Sequence, residues 1–307
     1  MARMIDNNTG PGSGAATAAE HADLYNVLGS WVEVRTSSPS ARRAVTNLLR
    51  GFAGGKKPPH HVEPVAQYSL TLDDGLFWQV GAGEVVPCVS CQLNNALTLL
   101  EWQIVMDALG RRDDLFYLHG AALATPASRE GVVLIGESGS GKTTLALGLM
   151  LRGFTPFNDD VTLIAPDTLE LQSFRRSFHL EEGTRGLLHP LAVPASWDLD
   201  AEPRGYFLPP VWAAGGVPVR YVLFPSFQAG AAPELTRLTA PEAAGALLAH
   251  TSLQRAPGRG LATVARLTAQ AACYRLRTGD LALSAAVVHA LVEGQSEAAA
   301  HVSSASA

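Results

Sequence analysis

Lysine is scarce in this chain: of 307 residues only Lys56, Lys57 and Lys142 carry an ammonium group, and arginine supplies the rest of the positive charge. A planar guanidinium does not substitute freely for a compact ammonium on a flexible stem, so the isolated Lys142 marks a position that needs one. Cysteine is equally sparse, at three residues. Cys88 and Cys91 form one C-x-x-C that lacks the second ligand pair of a zinc ribbon, which reads as ordinary thiols in a reducing compartment. There is no basic surplus. A formal net charge of −5 and a pI near 6.0 exclude nucleic acid or an anionic membrane as the main partner, so any cationic site must be local. Long apolar runs are missing too: the stretch from Phe207 to Phe227 is broken by Pro209, Pro210, Pro218, Arg220 and Pro225, so no membrane segment is expected. The first residues, Met1 to Gly14, hold no apolar signal region, and the expected location is cytoplasmic. Neither internal repeats nor heptads occur.

What is present is enough apolar content, 47%, to bury a sizeable core. The ends are rich in Gly, Ala, Ser and Asn, which predicts disordered tails at 1–22 and 294–307. Between them a small α/β domain is expected at 23–112 and a second, catalytic domain at 113–293. In the first, Trp31 to Arg35 and Gln67 to Leu72 alternate as strands, and Leu76 to Val80 follows a turn at Asp73-Asp74-Gly75. Ala41 to Phe52 reads as a helix opened by Ser38-Pro39-Ser40, Gly54 to His61 as a loop, and Leu97 to Leu109 as a helix. In the second, Phe116 to Ala124 and Val132 to Ile135 predict buried strands, and Thr143 to Leu151 a helix. Further strands are expected at Val161 to Ala165, Leu169 to Phe174, Tyr221 to Phe224 and Tyr274 to Arg277. Helices are expected at Pro241 to His250 and Leu281 to Glu293.

One motif carries chemistry. Gly136-Glu137-Ser138-Gly139-Ser140-Gly141-Lys142-Thr143 meets the spacing G-x-x-x-x-G-K-T and lies between an apolar strand and a helix-forming run, the context that separates a phosphate loop from chance. Its glycines let backbone N–H groups turn inward around phosphate oxygens, and the following helix adds the positive end of its dipole. Lys142 would meet the β- and γ-phosphates and the Thr143 hydroxyl would ligate Mg²⁺. Asp159 and Asp160 follow 159 − 142 = 17 positions later, at the head of an apolar run. That separation holds one loop, a helix of about three turns and a short return. One carboxylate could hold Mg²⁺ while its neighbour accepts the proton of an incoming hydroxyl. His119 lies inside the apolar run Leu118-His119-Gly120-Ala121-Ala122, where its role depends on what surrounds it.

Taken together, His119-Gly120, the loop from Gly136 to Thr144, Gly153-Phe154 and Asn158-Asp159-Asp160 resemble, in order and spacing, the catalytic domain of HPr kinase/phosphorylase. The closer similarity is to stand-alone HPr kinase-like proteins of peptide tailoring, including kinases that phosphorylate a serine of lasso-peptide precursors. It spans roughly residues 25–293, with motif-level detail between 118 and 165. The resemblance implies a P-loop kinase core of the HPr kinase/PEP carboxykinase-like type, a mixed sheet with flanking helices behind a small α/β region. It also implies ATP bound by Gly136 to Thr144, and base and metal roles for Asp159 and Asp160, with Asp160 grouped with Thr143 at the metal and His119 in support. The loop ends in Thr143-Thr144 where the bifunctional enzyme has Ser followed by Glu, and the downstream glycine-rich strand motif is missing. A hydroxyl acceptor other than HPr is therefore expected.

The reading is an ATP- and Mg²⁺-dependent kinase acting on a hydroxyl, with a serine of a peptide or protein as the partner. A small-molecule acceptor or a nucleotide-binding regulatory module are the alternatives, and a homo-oligomer is left open. Phosphoryl transfer also needs cations near the γ-phosphate. Arg175, Arg176, His179 and Arg204 are the candidates on the acceptor side, and Glu181-Glu182 read as an exposed helix start.

Overall fold

A computed structural model describes residues 21–52, 63–73, 75–81, 88–127, 129–200, 205–251 and 257–294. The chain divides into two compact units, Met1–Ala108 and Leu109–Ala307. The loop expected at Gly54 to His61 and nearly all of both expected tails lie outside the described residues.

The first unit runs β1 (His21–Val27), β2 (Ser30–Thr36), α1 (Pro39–Leu48), β3 (Ala66–Asp73), β4 (Leu76–Val80), β5 (Cys88–Ser90) and α2 (Leu93–Leu109). The strands form one sheet in that order. β1 takes up His21 and Ala22, which the sequence assigned to a tail, and pairs antiparallel with β2 over its whole length. Its polar content hid it, since Asp23 and Asn26 interrupt the apolar alternation and only the β2 ladder holds the extended backbone. α1 is the crossover between the parallel pair β2 and β3. It starts where expected, with the Ser38 side chain accepting from Ala41 N at 3.2 Å and Pro39 in the first turn. It stops at Leu48, four residues short of the expected end.

The second unit comprises β6 (Phe116–Leu118), β7 (Gly120–Ala124), β8 (Gly131–Ile135), α3 (Lys142–Met150), β9 (Thr155–Asn158), β10 (Thr162–Ala165), β11 (Glu170–Gln172), β12 (Phe178–His179), α4 (Glu182–Leu188), β13 (Tyr206–Phe207), β14 (Val217–Phe227), β15 (Glu234–Arg237), α5 (Ala240–Leu248), α6 (Pro257–Gln270), β16 (Ala272–Thr278) and α7 (Leu281–Val292). Its main sheet is mixed, in the order β6-β10-β11-β14-β8-β7-β9. β16 lies parallel to β14, and β15 lies antiparallel to β16. β14 and β8 are parallel, whereas β7 and β8 form an antiparallel hairpin. Among the described residues no helix is long and apolar enough to cross a membrane.

The continuous apolar runs are explained by helices on both faces of this sheet. Ala122, Val133, Ile135 and Val222 pack with Ala243 and Leu247 of α5 and with Val264 and Leu267 of α6. Ala121, Val132, Leu134 and Leu223 face the other way, against Leu145 and Leu149 of α3 and Ala285 and Val288 of α7. Each fully buried Val, Leu or Ile among them contributes about 1.5–3 kcal/mol relative to exposure. Gly148 lets α3 approach α7 closely, because a Cβ there would stand 2.6 Å from Leu281 Cδ1.

Two expectations about strands need correction. The run Phe116 to Ala124 is two strands, not one, and the break falls at His119. β14 also runs from Val217 through Phe227, past Pro218 and Pro225, where only Tyr221 to Phe224 was expected. A proline removes one ladder donor but keeps an extended backbone, and β8 and β16 hold β14 from both sides.

Candidate active site

The site is built at the end of β8. After Ile135 the chain makes a glycine-rich turn into α3, with Gly139 (φ 80°) and Gly141 (φ 89°) in the left-handed region that glycine enters without strain. Gly136 is buried, and a Cβ on it would stand 2.7 Å from Ser140 Oγ. That hydroxyl is itself buried with no hydrogen-bond partner among the described residues. Lys142 opens α3 with its ammonium buried. It donates to the carbonyls of Gly136 and Glu137, each at 2.8 Å, which uses two of its three donors. Burial lowers its pKa, and Asp160 and Asp159 pull it back up.

β9 delivers the acidic pair. Asn158, fully buried, accepts from Thr162 Oγ1 at 3.0 Å and donates to the Gln172 carbonyl at 3.4 Å, clamping the turn that carries Asp159 and Asp160. Asp160 takes φ 67°, a left-handed conformation that Asp tolerates better than most residues. The two carboxylates then find different company. Asp159 is 2% exposed and accepts from Thr143 Oγ1 at 3.2 and 3.0 Å through its two oxygens. The Asp160 side chain remains 44% exposed, with Arg176 Nη1 at 2.6 Å and His119 Nδ1 at 3.2 Å. His119 Nδ1 also lies 3.2 Å from the Asp160 carbonyl oxygen, and two facing oxygens make this ring nitrogen the protonated one.

Electrostatics separates the pair further. Burial and the neighbouring Asp160 charge push Asp159 up to about 7. Burial also raises Asp160, but Arg176, with His119 and Lys142, outweighs it and holds Asp160 below the ordinary carboxylate range. A stability consequence follows with opposite signs for the two groups. Between about pH 4 and 7 the folded chain keeps a proton on Asp159 that the unfolded chain has released, so this group makes stability fall as pH rises through that window. Asp160 contributes stability above pH 4, and that is lost as pH falls through its depressed pKa. Melting temperatures of the chelator-treated protein should therefore drop from pH 4 to 7 more steeply than those of Asp159→Asn. Parallel curves would show that Asp159 ionises normally.

These groups line a polar cavity of about 240 Å³. Its lining is His119, Ser138, Gly139, Gly141, Lys142, Thr143, Asp159 and Asp160, joined by Thr144, His179, Glu181 and Thr184. Of the residues expected at the phosphate, Ser138 through Thr144 are brought together here, except that Ser140 turns its hydroxyl inward. Thr144 lines the cavity, but its hydroxyl lies 2.7 Å from Thr184 Oγ1, tying α3 to α4. Glu137 is exposed and contributes its backbone carbonyl. The donor set suits a polyphosphate with a divalent cation: an ammonium and the start of α3 for oxygens, and the Thr143–Asp159 pair for hard-cation ligation.

Three sequence assignments shift. Thr143 is paired with Asp159, not with Asp160 as expected for the metal. Arg176, expected to face the acceptor, is 7% exposed and engaged with Asp160. Arg175 is exposed and away from the cavity lining, whereas His179 lines it and stacks on Tyr206 at 5.0 Å. Arg204 lies outside the described residues. Sequence reasoning missed His250. Its carbonyl accepts from His119 N at 3.0 Å, and its ring is near enough to the site that burial, then Lys142 and His119, lower its pKa. Nothing in the sequence around the end of α5 signals this, because the contact is made across 131 positions of chain (250 − 119).

No family model matches the chain, and no curated protein matches it. Among solved structures, that of the Hpr(Ser) kinase/phosphatase from Coxiella burnetii is similar at 14% identity, covering 60% of this chain and 97% of that chain with a TM-score of 0.26.

Proposed function

We propose that the chain is an ATP-dependent kinase that transfers the γ-phosphoryl group to a hydroxyl, with a serine of a peptide or protein as acceptor. The observation that carries this reading is the division of labour in one cavity: a buried Asp159 paired with Thr143, and a half-exposed Asp160 held by Arg176 and His119, with Lys142 lining the same cavity. A nucleotide-binding module without transfer needs the loop but no second carboxylate open to an acceptor.

In this reading the strand β8, its glycine turn and α3 are a P-loop within a core of the HPr kinase/PEP carboxykinase-like type. Ser138 to Thr144 and Lys142 hold the phosphate chain. Thr143 and Asp159 would hold Mg²⁺, which when bound neutralises charge on the β- and γ-phosphate oxygens. Asp160 is the base: its depressed pKa keeps it ionised at neutral pH, and its half-exposed carboxylate is open to an incoming hydroxyl. The serine O–H gives its proton to Asp160 as the new O–P bond forms, and the bond from the γ-phosphorus to the bridging oxygen breaks to release ADP. A weak base suffices, because a loose transition state leaves the proton on the nucleophile until late. Arg176 fixes the carboxylate, and His119 holds both its side chain and its backbone.

The test is incubation of the full chain with γ-labelled ATP, Mg²⁺ and a panel of serine-containing peptides and small hydroxylated compounds, read by mass and label. Phosphate appearing on a serine supports the reading. Label moving to a small hydroxylated compound and never to peptide would replace the acceptor class, and retention of all label on ATP with every acceptor would overturn it.

A further inference from the structure

We infer that the nucleoside of the donor nucleotide seats in a second, apolar cavity beyond the phosphate loop, with Phe227 and Leu187 as its walls; this placement rests on the phosphate reading above. The cavity, about 180 Å³, is continuous with the polar one: Gly139, Gly141, Thr144 and Thr184 line both. Its far end is different in kind. Leu187 of α4 and Phe227 at the end of β14 are large apolar side chains left 45% and 55% exposed beside it. Asp280, the residue preceding α7, adds a carboxylate at the same cavity. An apolar slot with a few polar groups, joined to an anion-binding turn, is what a heterocycle on a phosphate tail requires.

Direction decides which end of the substrates belongs here. In-line transfer places the attacking hydroxyl and the leaving diphosphate on opposite sides of the γ-phosphorus. The acceptor must reach Asp160, and Asp160, His119 and Lys142 line only the polar cavity. The apolar cavity therefore serves the leaving group, and Phe227 offers the ring on which a base can stack. Asp280 is an acceptor and suits a base that presents an amino group.

Calorimetric titration of the full chain in Mg²⁺ with ATP and with inorganic tripolyphosphate tests this, repeated on Phe227→Ala and Leu187→Ala. Both residues are about half exposed and outside the buried core clusters, so neither substitution opens the core. ATP should bind the wild type at least about tenfold more tightly than tripolyphosphate, and each variant should lose much of that advantage while its tripolyphosphate affinity stays within about twofold. If ATP and tripolyphosphate bind the wild type equally, or if the variants keep the full ATP advantage, the nucleoside lies elsewhere while the phosphate reading stands. A variant that raises only the KM for the acceptor peptide would make this cavity part of the acceptor's site and overturn the placement. Failure of the wild type to bind either ligand would sink the phosphate reading together with the placement.

Discussion

Asp160→Asn is expected to lower the rate of phosphoryl transfer about 10²–10⁴-fold, the range that general-base catalysis supplies, while ATP affinity changes little. The amide keeps the size of the carboxylate and an oxygen for Arg176 but cannot take a proton. Asp159→Asn should behave differently, because Asp159 is buried against Thr143 whereas Asp160 is half exposed. Its loss should raise the Mg²⁺ concentration needed for half-maximal transfer by about tenfold or more, as removal of a charged hard-cation ligand does. Titrating Mg²⁺ for both variants separates the two roles. Should Asp160→Asn shift the Mg²⁺ requirement and Asp159→Asn lower only the rate, the two assignments exchange. Full transfer by both would leave the acid pair without a catalytic part.

Lys142→Ala is the second large effect. In the structure the ammonium bridges the Gly136 and Glu137 carbonyls, so it both shapes the turn and brings a positive charge into a cavity lined by three carboxylates, Asp159, Asp160 and Glu181. In the proposed kinase its removal should reduce kcat/KM at least about 10³-fold, combining a lost charge-stabilising donor with weaker phosphate binding. Lys142→Arg should not rescue it, because a planar fork cannot occupy the space of a compact ammonium that is 7% exposed. ATP affinity measured directly, beside the transfer rate, checks both points. Rescue by arginine would show that only charge matters at this position.

The legible parts of this protein were those set by local chemistry. The glycine loop, the strand before it and the helix after it are specified within about twenty residues, since φ freedom, apolar continuity and helix propensity are all short-range properties. The start of α1 was legible for the same reason, through the Ser38 cap and Pro39. Weakly patterned elements were not. β1, β9, β12, β13 and β15 are short or polar and are held extended by their partners, and α6 was overlooked because Gly258 and Gly260 obscure its start. The helix Ala41 to Phe52 was drawn too long because nothing in Leu49-Arg50-Gly51 announces the stop until the glycine.

The site divides along the same line. Asp159, Asp160, His119 and Lys142 were nameable as candidates from type and spacing, yet their pairings were not. Which carboxylate meets Thr143 depends on the left-handed turn at Asp160 and on the Asn158–Thr162 clamp. That Arg176 is spent on Asp160, and not offered to an acceptor, depends on how β11 and β12 route the chain past the acid pair.

The amino-acid order alone thus determined the anion-cradling turn, the acidic pair and the two-faced apolar strands between helices, because each arises from contacts among near neighbours. Only the tertiary structure decided that one aspartate is dry and the other wet, that His250 backs His119, and that an apolar slot adjoins the polar one. Those properties come from desolvation and long-range charge, which depend on who is buried beside whom and have no trace in spacing.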